Sequence, residues 1–199
     1  GPLFYRTQFE LEPPKSNQRF WLDLDGIFSQ GDIWVDGSFL GVTEGYFFPH
    51  SLELTDVLKK QKEHLLAIEV TSPPNDGENE KRSLTGFNNQ NFNLGGIWQP
   101  VHLRATGPIA FRHLRAVCVD ANPTVATLAV RAVVEATHPC LTIFKTKILG
   151  IDHRHRQPLA AGENRVEWII RIPRPELWWP HELGEQPLIN AEFTLSTET

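Results

Sequence analysis

The stretch Ile33-Trp34-Val35-Asp36-Gly37-Ser38-Phe39-Leu40-Gly41 decides the fold class. An Asp-Gly pair between two apolar runs is a strong hairpin signal. A two-residue type I′ loop needs positive φ at both central positions, which Asp tolerates and Gly adopts freely. Outward from this hairpin the same grammar repeats: short runs rich in Val, Ile, Phe, Trp and Thr, separated by turn residues. Residues 4–11 alternate. Residues 19–24 place Phe20, Leu22 and Leu24 on one face and Trp21 and Asp23 on the other, and residues 64–70 and 97–105 read as further strands. Only residues 54–60 suggest a helix, of one or two turns, with Thr55 as its cap, because the strand at Leu65 follows too soon for more. The chain is predicted to be all-β.

A domain boundary is expected at Thr106-Gly107-Pro108. Residues 1–106 carry 9 basic against 14 acidic side chains, a balance of −5, whereas residues 107–199 carry 10 of each. After the boundary the β pattern restarts over residues 109–119, 125–136, 141–149, 164–172 and 187–195. Five strands at that spacing predict an immunoglobulin-like β-sandwich. The first half has more strands and a long insertion, which predicts a jelly-roll β-sandwich.

The 199 residues are 40% hydrophobic and 22% charged, the balance of an ordinary soluble globular protein, cytoplasmic or secreted. That excludes a disordered tail, a collagen-like rod and a coiled coil. The acidic balance argues against nucleic acid as a partner, and no apolar run approaches the ~18–20 residues of a membrane helix. With no methionine present, residue 1 is not expected to be a native start, and the chain is read as processed or cut from something longer. Cys118 and Cys140 are read as two separate buried thiols, with a single disulfide between neighbouring strands as the alternative. No motif for a cofactor or metal is present, so none is predicted.

Chemistry-bearing residues are sparse. A retaining sugar hydrolase needs two carboxylates about 5–5.5 Å apart. Asp23 and Asp25 lie two apart on one strand face and read as solvated, so no catalytic residue is assigned. Asp152-His153-Arg154-His155 carries two histidines that would share a strand face, but the flanking Arg156 and Pro158 favour an exposed hairpin loop. Trp21, Trp34 and Trp168 read as core residues. Trp178-Trp179-Pro180 is assigned to domain packing, with sugar stacking as the alternative, because indoles bury large areas and keep a polar handle. Residues 72–93, with six asparagines and hardly any apolar residues, are predicted to form a long loop, and a loop of that length is usually functional or disordered. Within it Asn88, Asn89, Asn91, Phe92 and Asn93 combine amides for sugar hydroxyls with an aromatic ring for an apolar sugar face.

Four motifs, in order and spanning nearly the whole chain, resemble glycoside hydrolase family 2. Trp34-Val35-Asp36-Gly37, followed by Gly41 and Gly45-Tyr46-Phe47-Phe48-Pro49, is similar to the Trp-Val-Asn-Gly and Gly-Gly-Phe-x-Pro segment of its sugar-binding domain. Leu54-Thr55-Asp56-Val57-Leu58 resembles its Thr-Asp-x-Leu turn. Gly95-Gly96-Ile97-Trp98-Gln99-Pro100-Val101 resembles its Gly-Gly-Ile-Trp-Arg-Pro-Val strand, with Gln99 where Arg is usual. Leu177-Trp178-Trp179-Pro180 and Gly184-Glu185-Gln186-Pro187-Leu188 resemble the end of its immunoglobulin-like domain. The Trp-Trp-Pro and Gly-Gly-Ile-Trp forms lean towards the β-mannosidase and exo-β-glucosaminidase branch. The resemblance implies a jelly-roll domain, an immunoglobulin-like domain truncated before its last strand, and a TIM barrel beyond residue 199 supplying both catalytic glutamates. It also implies a β-glycoside as ligand of the whole protein, with the loop at Asn88–Asn93 lining the rim of the active site. Where several members carry an acidic residue in that loop, this chain has only amides and Phe92. An unpaired sheet edge recruits other chains, so a homo-oligomer joins the barrel as a candidate partner. The competing reading is a stand-alone carbohydrate-binding or adhesion module of two sandwiches.

Overall fold

The computed structural model describes residues 1–45, 47–59, 61–72 and 95–198. They divide into two units, Gly1–Gly107 and Pro108–Thr199. The first contains β1 (Leu3–Glu10), β2 (Arg19–Leu24), β3 (Ile27–Phe28), β4 (Gln30–Val35), β5 (Ser38–Glu44), β6 (His50–Glu53), β7 (Glu63–Thr71), β8 (Gly96–Ile97) and β9 (Val101–Thr106). At the centre of the hairpin Asp36 and Gly37 hold φ of 51° and 76°, as a type I′ loop demands. Val35 therefore faces Ser38 and Trp34 faces Phe39, with a bulge before Ile33 faces Gly41.

The strands of this unit make a four-stranded sheet ordered β1-β7-β4-β5, a three-stranded sheet ordered β6-β2-β9, and the short pair β3-β8. Alternation buries Ile33 and Val35 of β4, Leu66, Ile68 and Val70 of β7, and Phe20, Leu22 and Leu24 of β2 in one core. Each such side chain contributes about 1.5–3 kcal/mol by leaving water. Leu54 and Leu58 close the core from a connection whose helical content is one 3-10 turn, Val57–Lys59. Thr55 does not cap it; its hydroxyl accepts the Phe20 N–H at 3.0 Å and donates to Glu53 at 2.7 Å.

The second unit contains β10 (Ile109–Ala121), β11 (Val125–Ala136), β12 (Cys140–Ile148), β13 (Ile151–Leu159), β14 (Gly162–Pro173) and β15 (Ala191–Thr197). They form two three-stranded sheets, β10-β11-β14 and β13-β12-β15, over a core centred on Phe144 and Trp168, whose ring centroids lie 5.3 Å apart. The fold is all-β, of β-sandwich type.

Several expectations need correction. Residues 152–156 are not an exposed loop but part of β13, and His155 points inward, its ring stacked on Trp168 at 5.9 Å and 9°. The last strand begins at Ala191 rather than at residue 187, since Leu188 ahead of it is 94% exposed. Trp168 is a core residue, but Trp34 is not: with Ile33 and Val35 inward, the period of two sends Trp34 to the outer face against Phe39, 5.5 Å away. Cys118 is exposed rather than buried, and both cysteines are free, Cys118 in the β10 sheet and Cys140 in the β12 sheet.

Candidate functional site

The short pair β3-β8 organises one end of the first unit. Register places Ile27 against Ile97 and Phe28 against Gly96. Gly96, at φ +131°, lies so close to Tyr5 that a Cβ there would sit 2.7 Å from the phenol oxygen, and that oxygen accepts the Ile97 N–H at 3.4 Å. Ser72 and Gly95, which flank residues 73–94, are brought together: a Cβ on Gly95 would collide with the Ser72 hydroxyl, which donates to the Phe28 carbonyl.

Immediately after β8 the chain lays Trp98 across Gly26. The Trp98 N–H donates to the Gly26 carbonyl at 3.2 Å, and a Cβ on Gly26 would stand 2.7 Å from the indole nitrogen. Only glycine leaves room for that ring. The segment after β5 arrives at the same place. Gly45, at φ +87°, donates to the Ser29 carbonyl at 3.0 Å and packs under Phe48. Phe47 then meets Trp98 edge to face, 5.8 Å between centroids at 90°. Trp98 is 49% exposed and Phe47 71%. An aromatic platform thus stands beside the two ends of residues 73–94. Asn88, Asn89, Asn91, Phe92 and Asn93 lie outside the described residues. In the sequence Trp98 and Phe47 stand only within motifs; the contact with Gly26, seventy-two positions away from Trp98, is what makes them a surface.

Asp23 is not the solvated carboxylate expected. It is buried, accepts from Arg104 at 2.5 and 3.0 Å and from the Ser51 hydroxyl, and lies 3.7 Å from His102. Burial pushes its carboxyl up, but the hydrogen bonds from Arg104 and Ser51 outweigh this and hold it below the usual carboxylate value. Arg104 and Arg19 both lie over the Trp21 ring, 5.7 and 4.5 Å from its centroid, so Trp21 is buried beneath cations and not in the apolar core. Asp25 is partly exposed, 3.8 Å from His102. A carboxylate held down in this way is the reverse of a general acid, whose pKa must be raised.

In the second unit His153 and His155 share an inward face, and among the described residues no group of three metal-ligating side chains occurs. Trp178 and Trp179 are about half exposed. Their turn is closed by the Trp179 N–H donating to Glu185 at 2.9 Å and by Gln186 donating to the Trp179 carbonyl at 3.0 Å.

Residues 2–108 match the family described as glycosyl hydrolase 2 galactose-binding domain-like. An exo-β-D-glucosaminidase of Hypocrea virens is 25% identical over 98% of this chain and 23% of its own length. Another, from Arthroderma benhamiae, is 30% identical over 96% of this chain and 23% of its length. Among solved structures, a β-D-mannosidase from Dictyoglomus thermophilum superposes with a TM-score of 0.74 at 18% identity, over 98% of this chain and 27% of that one. The chain therefore spans about a quarter of the length of the proteins it matches.

Proposed function

Because the chain belongs to the glycosyl hydrolase 2 galactose-binding domain-like family, we propose that it is a non-catalytic part of a retaining glycosidase acting on β-linked sugars, and that it lines the rim of the active site. In this reading residues 1–106 are the sugar-binding jelly roll and residues 107–199 the immunoglobulin-like domain. A TIM barrel elsewhere in the whole protein provides the nucleophile and the acid/base, about 5–5.5 Å apart. Among the relatives, exo-β-D-glucosaminidases favour a β-linked glucosamine as the sugar.

The observation that carries the reading is the Phe47–Trp98 platform beside the ends of residues 73–94. An indole offers a flat apolar face to a sugar ring, the amide side chains of Asn88, Asn89, Asn91 and Asn93 are of a type that donates to and accepts from its hydroxyls, and Phe92 adds a second aromatic ring to that composition. Trp178 and Trp179, half exposed on a hydrogen-bonded turn, are assigned to packing against the barrel. Without the barrel the rim is half a pocket open to water. Neutral hydrogen bonds there contribute only about 0.5–1.5 kcal/mol each, so the chain alone binds sugar in the millimolar range, about −4 kcal/mol.

The test is an NMR titration of the chain with glucosamine, mannose, galactose and glucuronic acid. The expected result is millimolar binding by one of them, with shifts concentrated on the Trp98 indole and residues 88–93, and loss of those shifts in Trp98→Ala and Phe92→Ala. Shifts that bypass these residues, or survive both substitutions, overturn the rim assignment.

A further inference from the structure

Among the described residues, the outer face of the sheet β1-β7-β4-β5 carries an imbalance of charge. Alternation and register put Glu10 of β1, Glu63 and Glu69 of β7, Asp32 of β4 and Glu44 of β5 on this face, against one cation, Arg6. Two pairs of these carboxylates are direct cross-strand neighbours, Glu69 with Asp32 and Glu10 with Glu63. Like charges set opposite each other destabilise a sheet. Elsewhere in the same unit carboxylates are paired: Asp23 with Arg104, Glu53 with Arg19, Asp36 with His64. Among the described residues none of the five on the outer face makes an ion pair.

Aromatic surface lies in the midst of this charge. Trp34 meets Phe39, which is 56% exposed, and its neighbour on the other side is Ala67, with Arg6 beyond. One step along the strands from the Trp34–Ala67 pair lies the Asp32–Glu69 pair, so the two carboxylates neighbour the indole on this face. Six residues of β7 separate Glu69 from Glu63, about 20 Å at ~3.3 Å per residue, which suits an extended oligomer rather than one ring.

We propose that this face binds a cationic aminosugar chain, an oligomer of glucosamine, as a site separate from the rim. Ring faces stack on Trp34 and Phe39, and ammonium groups pair with Asp32 and Glu69 first and with the outlying carboxylates along the chain. A polymer with a repeating cation and a flat apolar ring face complements both features at once, whereas a basic peptide complements only the charge. Binding falls with salt, because these carboxylates are in contact with solvent.

The inference goes beyond the rim reading and is read out separately, since NMR shifts on β4, β5 and β7 report this face and shifts at Trp98 report the rim. The 199-residue chain is titrated by calorimetry with glucosamine hexamer, N-acetylglucosamine hexamer and hexalysine. Glucosamine hexamer is expected to bind, and roughly tenfold or more more tightly than the N-acetylated chain, which lacks the charge. The double substitution Asp32→Asn with Glu69→Gln should weaken it by a similar factor while raising the melting temperature, since a like-charge pair is relieved. Phe39→Ala should also weaken it. Absence of binding, equal binding of the neutral hexamer, or an unchanged affinity in the double variant overturns the proposal. Hexalysine bound as tightly as the glucosamine hexamer, with both indifferent to Phe39→Ala, overturns it in favour of a general polycation surface.

Discussion

At Asp36 the hairpin loop and the neighbouring strand are tied by one side chain. Its carboxylate accepts the Leu65 N–H at 2.8 Å and the His64 Nδ1–H at 2.7 Å, and the His64 side chain is fully buried. Burial pushes the Asp36 carboxyl up, but these two hydrogen bonds pull it below the ordinary carboxylate value. A carboxylate lowered in the folded state favours folding above its unfolded pKa of about 3.9. That contribution fades as pH falls through the lower folded value. Asp36→Ala removes both acceptors and places a Cβ-bearing residue without a local hydrogen bond at positive φ, so a loss of about 2–3 kcal/mol is expected in urea unfolding at neutral pH. Asp36→Asn keeps one acceptor and tolerates the turn, so it should lose about 1 kcal/mol. Unfolding free energies measured along an acid series should fall less steeply for Asp36→Asn than for the parent; identical slopes would mean that the carboxylate is not linked to folding. The turn was legible in the sequence because positive φ restricts which residues can sit there. Its tie to His64 was not, since β7 reaches the loop only after the sheet has formed.

Among the elements, β2 shows why pattern reading succeeds on one face and fails on the other. Phe20, Leu22 and Leu24 announce a core face, and the core contains them. On the opposite face Asp23 reads as solvated, but it is buried there with Arg19 and Trp21, beside Glu53 and Ser51 from β6 and Arg104 from β9. Charge marks a surface only when no counter-charge is available, and cross-strand neighbours cannot be read from one strand. The same blindness hid β13, whose alternating His and Arg residues look like a loop until His155 is seen to stack on Trp168. Arg104→Ala should therefore behave as a core substitution. It strips a buried carboxylate of its bidentate partner and uncovers Trp21, at an expected cost of about 3 kcal/mol by chemical denaturation. A loss under about 0.5 kcal/mol, the range of an ordinary surface pair, would contradict the role given to this ladder.

For the whole molecule, the sequence carried the β-sandwich class and the family, because both follow from strand period, turn residues and ordered motifs. The surface at Phe47 and Trp98 was hidden, because it depends on a glycine far along the chain making room for a ring. The chain's carboxylates also bear on its part in catalysis. Among the described residues, Asp23 is buried and bound to Arg104, Asp36 is bound to His64, both are held below the ordinary carboxylate value, and Asp32 and Glu69 stand side by side on the outward face of the sheet of β4 and β7. Neither arrangement holds a proton ready for a leaving group, an observation about the described residues that supports the proposed placing of catalysis elsewhere in the whole protein. The most direct test is turnover. The purified chain is incubated with aryl β-glucosaminide, β-mannoside, β-galactoside and β-glucuronide, and release of the aryl alcohol is followed against a heat-inactivated control. The predicted result is release indistinguishable from that control for all four; release above it, abolished by a substitution at any carboxylate of this chain, would contradict the account.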